Sequence, residues 1–220
     1  KELHKPENIG KNKSNFYQRL AYDEIFSTFL VNSEIRKKIK RIKKKNKIIN
    51  ISKQNSLIKN LDFNLTNDQT KSLNEINKDL SSSNKMFRLL QGDVGSGKTI
   101  VSLLAALNTI NSGFQVALMA PTEILARQHY NLAKKIFPNK IKLEFISGKS
   151  EYRLKKEILK NLENNKIDII FGTHAIFQKK VIFKKLGLII IDEQHKFGVN
   201  QRKRLSDKGG IDCDILLMTA

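Results

Sequence analysis

A chain of 220 residues, 40% hydrophobic and 28% charged, can build one domain with an extension, or two small domains, around a substantial core. No run approaches the ~18 consecutive apolar residues of a spanning helix, the opening residues 1–10 are polar rather than signal-like, and a single cysteine, Cys213, excludes an internal disulfide framework. The net charge of +20 is uneven: residues 1–60 carry 16 Lys+Arg against 5 Asp+Glu. Lys outnumbers Arg 33 to 8, a bias that an AT-rich genome also produces, so position is more telling than the total.

Residues 1–13 are polar and expected to fray. From Ser14, the spacing of Phe16, Leu20, Ile25, Phe29 and Leu30 predicts a helix with Ser14 as its cap. Residues 36–47 contain nine basic residues in twelve. They read either as a phosphate-tracking surface or as the solvated face of a Lys-rich helix. Residues 48–61 fit no single pattern. Thr66 to Leu80 predicts a second helix, capped by Thr66, with Leu73, Ile76 and Leu80 on one face. After residue 85 the style becomes strand, loop, helix. Strands are predicted over 86–90, 114–120, 141–146, 168–171, 187–191 and 215–218, with helices over 100–110, 123–137 and 151–162. The strands are near-continuous apolar runs, the mark of parallel strands covered on both faces.

Between the first of these strands and its helix lies Gly92-Asp93-Val94-Gly95-Ser96-Gly97-Lys98-Thr99, which fits G-x-x-x-x-G-K-[ST]. Its glycines let backbone N–H groups turn inward around an anion, and the following helix adds its positive end. Lys98 would reach the β- and γ-phosphates, and the Thr99 hydroxyl would ligate Mg²⁺. The site needs an acid at the tip of a neighbouring strand. Leu188-Ile189-Ile190-Ile191 runs into Asp192 and Glu193, at the carboxyl edge where open α/β sheets bind ligands. Asp192 is expected to hold Mg²⁺ through water, and Glu193 to orient or deprotonate the attacking water.

Asp192-Glu193-Gln194-His195 resembles the DExH box of superfamily 2 helicases. Ala120-Pro121-Thr122-Glu123-Ile124-Leu125-Ala126-Arg127-Gln128-His129 resembles their motif Ia, Gly172-Thr173-His174-Ala175 a later DNA-contacting motif, and Met218-Thr219-Ala220 the start of motif III. The wording of residues 91–99 and 192–202, with Arg19-Leu20-Ala21-Tyr22-Asp23-Glu24 upstream, is similar to the RecG family of bacterial branched-DNA helicases. The likeness runs from about residue 15 to the end. The transcription-repair coupling translocases share the Gly-Asp-Val-Gly phrase but typically carry Glu where Gln194 stands. Lys196 replaces the family's usual Arg and keeps the charge. The resemblance implies an α/β fold: a RecA-like P-loop NTPase domain with a parallel sheet over 61–220, preceded by a basic helical extension over 1–60.

It further implies that Gln69 is the glutamine of a Q-motif-like segment, able to meet an adenine edge with donor and acceptor. His195 would link the hydrolytic site to the nucleic-acid side. Pro121, Thr122, Arg127, Gln128, Gly148, Gly172, Thr173 and His174 would contact the DNA backbone, through N–H groups, side chains and exposed glycine backbone. ATP and Mg²⁺ are the implied cofactors. Branched DNA, a second RecA-like lobe and an upstream wedge domain are the implied partners of a monomeric bacterial cytoplasmic helicase or translocase with no membrane contact. The start at Lys1 and the stop directly after an apolar run give the expectation of a piece of a longer protein. Two rival readings are a DExH RNA helicase and a non-motor P-loop module acting as a nucleotide-dependent scaffold. Cys213 reads as an inert buried thiol. His4 and His129 lack metal-ligand spacing, so no metal beyond nucleotide-bound Mg²⁺ is expected.

Overall fold

The computed structural model describes residues 42–148, 152–193 and 209–219, together with Arg19, Tyr22, Asp23, Phe26, Leu30 and Ser33. The chain divides into two compact units, Lys1–Ile39 and Lys40–Ala220. In the first, the six described residues are helical. Arg19 pairs with Asp23 one turn on at 3.7 Å, and the Tyr22 and Phe26 rings stack at 5.9 Å. The remainder of the helix expected from Ser14, and residues 36–41 of the basic run, lie outside the described residues.

The second unit is built on six parallel strands: β1 (Phe87–Gln91), β2 (Gln115–Met119), β3 (Leu143–Ile146), β4 (Ile169–Gly172), β5 (Leu186–Ile191) and β6 (Asp214–Thr219). Their order is β1-β6-β5-β2-β4-β3. Successive side chains point to opposite faces, and both faces are buried: Val116, Leu118, Leu188 and Ile190 enter one core, Ala117, Met119, Ile189 and Ile191 the other. The first core is closed by α1 (Ile51–Lys59), α2 (Asn67–Ser81), α3 (Lys98–Asn111) and α4 (Glu123–Ile136), the second by α5 (Tyr152–Glu163) and a 3₁₀ turn, His174–Phe177. Helix α3 is buried along most of its length, as a helix packed between the sheet and α1 and α2 must be. Helix α2 begins in a capping box: Thr66 accepts from Gln69 N while the Gln69 side chain accepts from Thr66 N.

Two findings depart from the sequence reading. The compact unit starts at Lys40, twenty-one residues ahead of Leu61, and the described residues of that stretch, 42–60, belong with the lobe. The ambiguous stretch supplies α1, tied to α2 and α3 by a buried amide chain, Gln54–Asn77–Asn108. Residues 42–50, which include the end of the basic run, form no helix and pair only through an isolated β-bridge from Lys43 to Asn84. Lys44 and Lys47 are neither solvated nor free for phosphates: their side chains are fully buried, each with Nζ 2.7 Å from Asp214 Oδ2. A solvated helix and a phosphate track are thereby both excluded for these two lysines, while Lys43 and Lys45 stay exposed.

Candidate nucleotide site and nucleic-acid face

Residues 92–97 leave the end of β1 and turn into α3. The turn opens against β6, with Gly92 N donating to Thr219 O at 3.3 Å, and closes on itself through Ser96 N to Asp93 O at 3.1 Å. Gly95 and Gly97 have φ of +83° and +79°, left-handed values that a Cβ resists. Gly97 also needs its missing side chain for space, since a Cβ there would stand 2.3 Å from Gln69 Nε2. That nitrogen donates to Ser96 O at 2.8 Å. Gln69 therefore joins the start of α2 to the glycine loop, and its amide keeps one hydrogen and one lone pair for a base edge. The first N–H groups of α3 point out of the helix end beneath the loop, the arrangement that suits an anion. The Lys98 ammonium folds over the loop, donating to Gly92 O and, at 2.8 Å, to Asp93 O.

The acid of the site stands one strand further away than expected. Strand β6 lies between β1 and β5, so Asp192 is on a next-nearest strand, ~10 Å across the sheet at ~5 Å per strand. The apolar run Ile215–Met218 is buried on both faces and fits only an interior position. Asp192 continues the β5–β2 pairing, with its N–H 2.8 Å from Met119 O. It is only 8% exposed. Its Oδ1 accepts from Glu193 N at 3.0 Å. Glu193 has φ +51°, an uncommon value outside glycine that turns the chain sharply after the strand. Gln194 and His195 lie outside the described residues.

What spans the gap is a residue that the sequence reading set aside. His129 on α4 brings Nε2 to 2.8 Å from Asp192 Oδ2 and Nδ1 to 3.4 Å from Thr99 Oγ1. A signal for it existed. Ala126, His129, Ala133 and Ile136 form the buried face of α4, and a histidine on an apolar helix face, following a strand that ends beside Asp192, invites a polar partner.

All six strands point the same way, so the other candidates share this edge. Nucleotide candidates occupy the β1-β6-β5 side, and nucleic-acid candidates the β2-β4-β3 side. Thr122 is exposed and caps α4, accepting from Leu125 N at 3.3 Å. Arg127 and Gln128 are exposed on its outer face, although Arg127 is engaged with Glu123 at 3.3 Å and lies 4.3 Å over the Phe145 ring. With Thr122, Ile124 and Asn131 they line a groove of about 600 Å³. Pro121 and Thr173 are partly exposed, and Gly148 and His174 exposed. Gly172 does not leave its backbone open. It is buried in β4, and a Cβ there would fall 2.2 Å from Ile146 O, so glycine at this position permits the close approach of β3.

Among the described residues no cluster of three or more His, Cys, Asp or Glu could hold a metal ion. The donor set beside the loop is one hydroxyl and one carboxylate. That set is too small for a structural metal, but it fits Mg²⁺, which keeps several waters and shares its remaining positions with phosphate oxygens. No helix among the described residues is long and apolar enough to cross a membrane.

A glycine-rich loop that leaves the first strand and enters a helix, at the carboxyl edge of a parallel sheet, places the fold in the P-loop class of α/β domains. Residues 66–220 match the DEAD/DEAH box helicase family model, and the chain belongs to that family. Within it, the ATP-dependent DNA helicases RecG of Streptococcus pneumoniae and Thermotoga maritima are 42% and 45% identical over 99% and 92% of this chain. The chain spans 32% and 26% of their lengths. The structure of a RecG bound to a three-way DNA junction superposes with a TM-score of 0.77 at 42% identity, over 91% of this chain and 27% of that one. The UvsW helicase of bacteriophage T4, 15% identical over 78% of this chain and 61% of that one, shares the fold with a TM-score of 0.56.

Proposed function

We propose that the chain is the first motor lobe of an ATP-dependent DNA helicase or translocase acting on branched DNA in recombination and repair. The observation that carries this reading is the approach of Thr99 and Asp192, on two separate segments, to opposite sides of one histidine ring beside the P-loop. Residues 92–99 would seat the phosphates on backbone N–H groups, and Lys98 would exchange loop carbonyls for β- and γ-phosphate oxygens. Thr99 and Asp192 would hold Mg²⁺, which when bound neutralises charge on those phosphates. Glu193 would align a water with the γ-phosphorus and take its proton. Gln69 would meet the adenine, and His195 would connect hydrolysis to the polymer side. Pro121, Thr122, Arg127, Gln128, Gly148, Thr173 and His174 would follow a sugar–phosphate backbone, as a motor indifferent to sequence requires.

In this reading the active cleft closes against a second RecA-like lobe, whose arginines stabilise the γ-phosphate in the transition state. A wedge domain attached through the basic N-terminal extension splits the branch, and the whole acts as a monomer. RecG relatives named as DNA helicases, one of them bound to a three-way junction, support branched DNA over RNA. By itself the lobe should bind ATP weakly and hydrolyse little. Lys98→Ala should abolish nucleotide binding, whereas Glu193→Gln in the intact protein should bind ATP and not hydrolyse it. Normal turnover by the Glu193 variant would refute its role, and stimulation by RNA but not by branched DNA would refute the substrate.

A further inference from the structure

His129 lies on the buried face of α4, between the small side chains of Ala126 and Ala133, and is only 8% exposed. A carboxylate can only accept, so the ring nitrogen 2.8 Å from Asp192 Oδ2 must carry a proton. In a neutral ring the other nitrogen is then an acceptor, and the group facing it is the Thr99 hydroxyl, 3.4 Å away. A hydroxyl that gives its proton to a ring nitrogen turns its oxygen lone pairs elsewhere. Asp192 is held at both oxygens, by His129 at Oδ2 and by Glu193 N at Oδ1, and each oxygen keeps a further lone pair.

We propose that His129 is a positioning residue of the nucleotide site: its ring donates a hydrogen bond from Nε2 to Asp192 and accepts one at Nδ1 from the Thr99 hydroxyl, which leaves oxygen lone pairs of both side chains for Mg²⁺. The inference rests on the reading of Thr99 and Asp192 as the magnesium-side ligands. In that arrangement the ring substitutes for a direct hydroxyl–carboxylate contact across the width of β6. Partners that orient metal ligands from behind typically govern ~10–100-fold of metal affinity. The effect is confined to binding that depends on the metal, because the phosphate cradle of residues 92–98 includes no atom of His129.

The test is titration of a fluorescent, non-hydrolysable ATP analogue into the 220-residue chain, in EDTA and in rising Mg²⁺. His129→Leu should leave affinity in EDTA within about twofold and remove about tenfold of the tightening that Mg²⁺ brings. His129→Gln, which retains a donor and an acceptor, should recover most of it. An undiminished magnesium effect in His129→Leu overturns the proposal, as does an equal loss in EDTA and in Mg²⁺, the mark of a packing role. Ring ¹⁵N spectra of the unsubstituted protein test the tautomer without any variant. Protonation at Nδ1, alone or at both nitrogens, would also overturn it. Lys98→Ala separates the two levels. If it binds as the parent does, the P-loop reading itself fails; if it loses binding while His129→Leu behaves as the parent, only the role of His129 fails. A parent chain that gains nothing from Mg²⁺ removes the magnesium reading and this inference together.

Discussion

Asp214→Ala should be among the most damaging substitutions in the lobe, although it lies at the end of the sheet away from the P-loop. Asp214 Oδ2 receives Lys44 and Lys47 at 2.7 Å each, and Oδ1 receives Met86 N at 2.6 Å. All three side chains of the ionic trio are fully buried. The trio holds two ammoniums and one carboxylate, so it is already positive. Lys44 offsets this by donating to Asp79 O and Leu80 O at the C-terminal end of α2, where carbonyl dipoles favour a cation. Burial still pulls its ammonium below the ordinary 10.5, against the opposing pull of Asp214. Removing the carboxylate would strand two buried cations and an unpaired N–H. Breaking a buried pair costs about 3–5 kcal/mol, and an orphaned N–H about 1–3 more, together about 4–6 after allowance for their coupling. That approaches the ~5–15 kcal/mol total stability of an ordinary domain. In urea, with a slope of ~2 kcal/mol per M, the midpoint should fall by about 2–3 M. Asp214→Asn, which can still accept from Met86 N, should lose about 3 kcal/mol. The combined Lys44→Met, Lys47→Met, Asp214→Leu chain should regain only the ionic part of the loss, about 3 kcal/mol, because it removes the stranded charges but leaves Met86 N without its acceptor. A midpoint for Asp214→Ala within about 0.5 M of the parent would refute this account of the clamp.

Gly97→Ala should weaken nucleotide binding at least tenfold and cost about 1–3 kcal/mol, since strain at φ +79° adds to displacement of Gln69 from Ser96. Gly113→Ala, at φ +81° with nothing within 4 Å of the added carbon, should show the strain alone and bind nucleotide normally, by calorimetry and by the same fluorescence assay. Burial pushes the Cys213 thiol from 9.0 up to about 12, so the unfolded chain releases that proton first. Its contribution is whole below about pH 9 and should decline by about 1.4 kcal/mol per pH unit up to about 12, a decline that Cys213→Ala removes from the pH dependence of urea midpoints.

The strand-loop-helix alternation, the doubly buried character of the sheet and the P-loop were legible in the residues themselves. Their signals are local: apolar runs, caps such as Thr66, and glycines at φ values only glycine adopts easily. Helix α1 was not legible. Its helical pattern is weak over Ile51–Lys59, and what holds it is a distant amide, Asn108, accepting from Asn50 N at 3.2 Å and bonding on through Asn77 to Gln54. The basic run misled for a related reason. Lys44 and Lys47 look like any exposed lysines until Asp214, some 170 positions later, arrives beside them.

The sequence alone determined the chemical parts of the candidate site: a glycine loop, a lysine, a hydroxyl and two carboxylates after one strand. Tertiary structure alone decided their relations. Insertion of β6 between β1 and β5 set the distance between cradle and acid, and the packing of α4 placed His129 in that gap. Strand order and helix docking arise from burial shared among segments far apart in the chain, and no local pattern of residue types encodes which strand lies beside which.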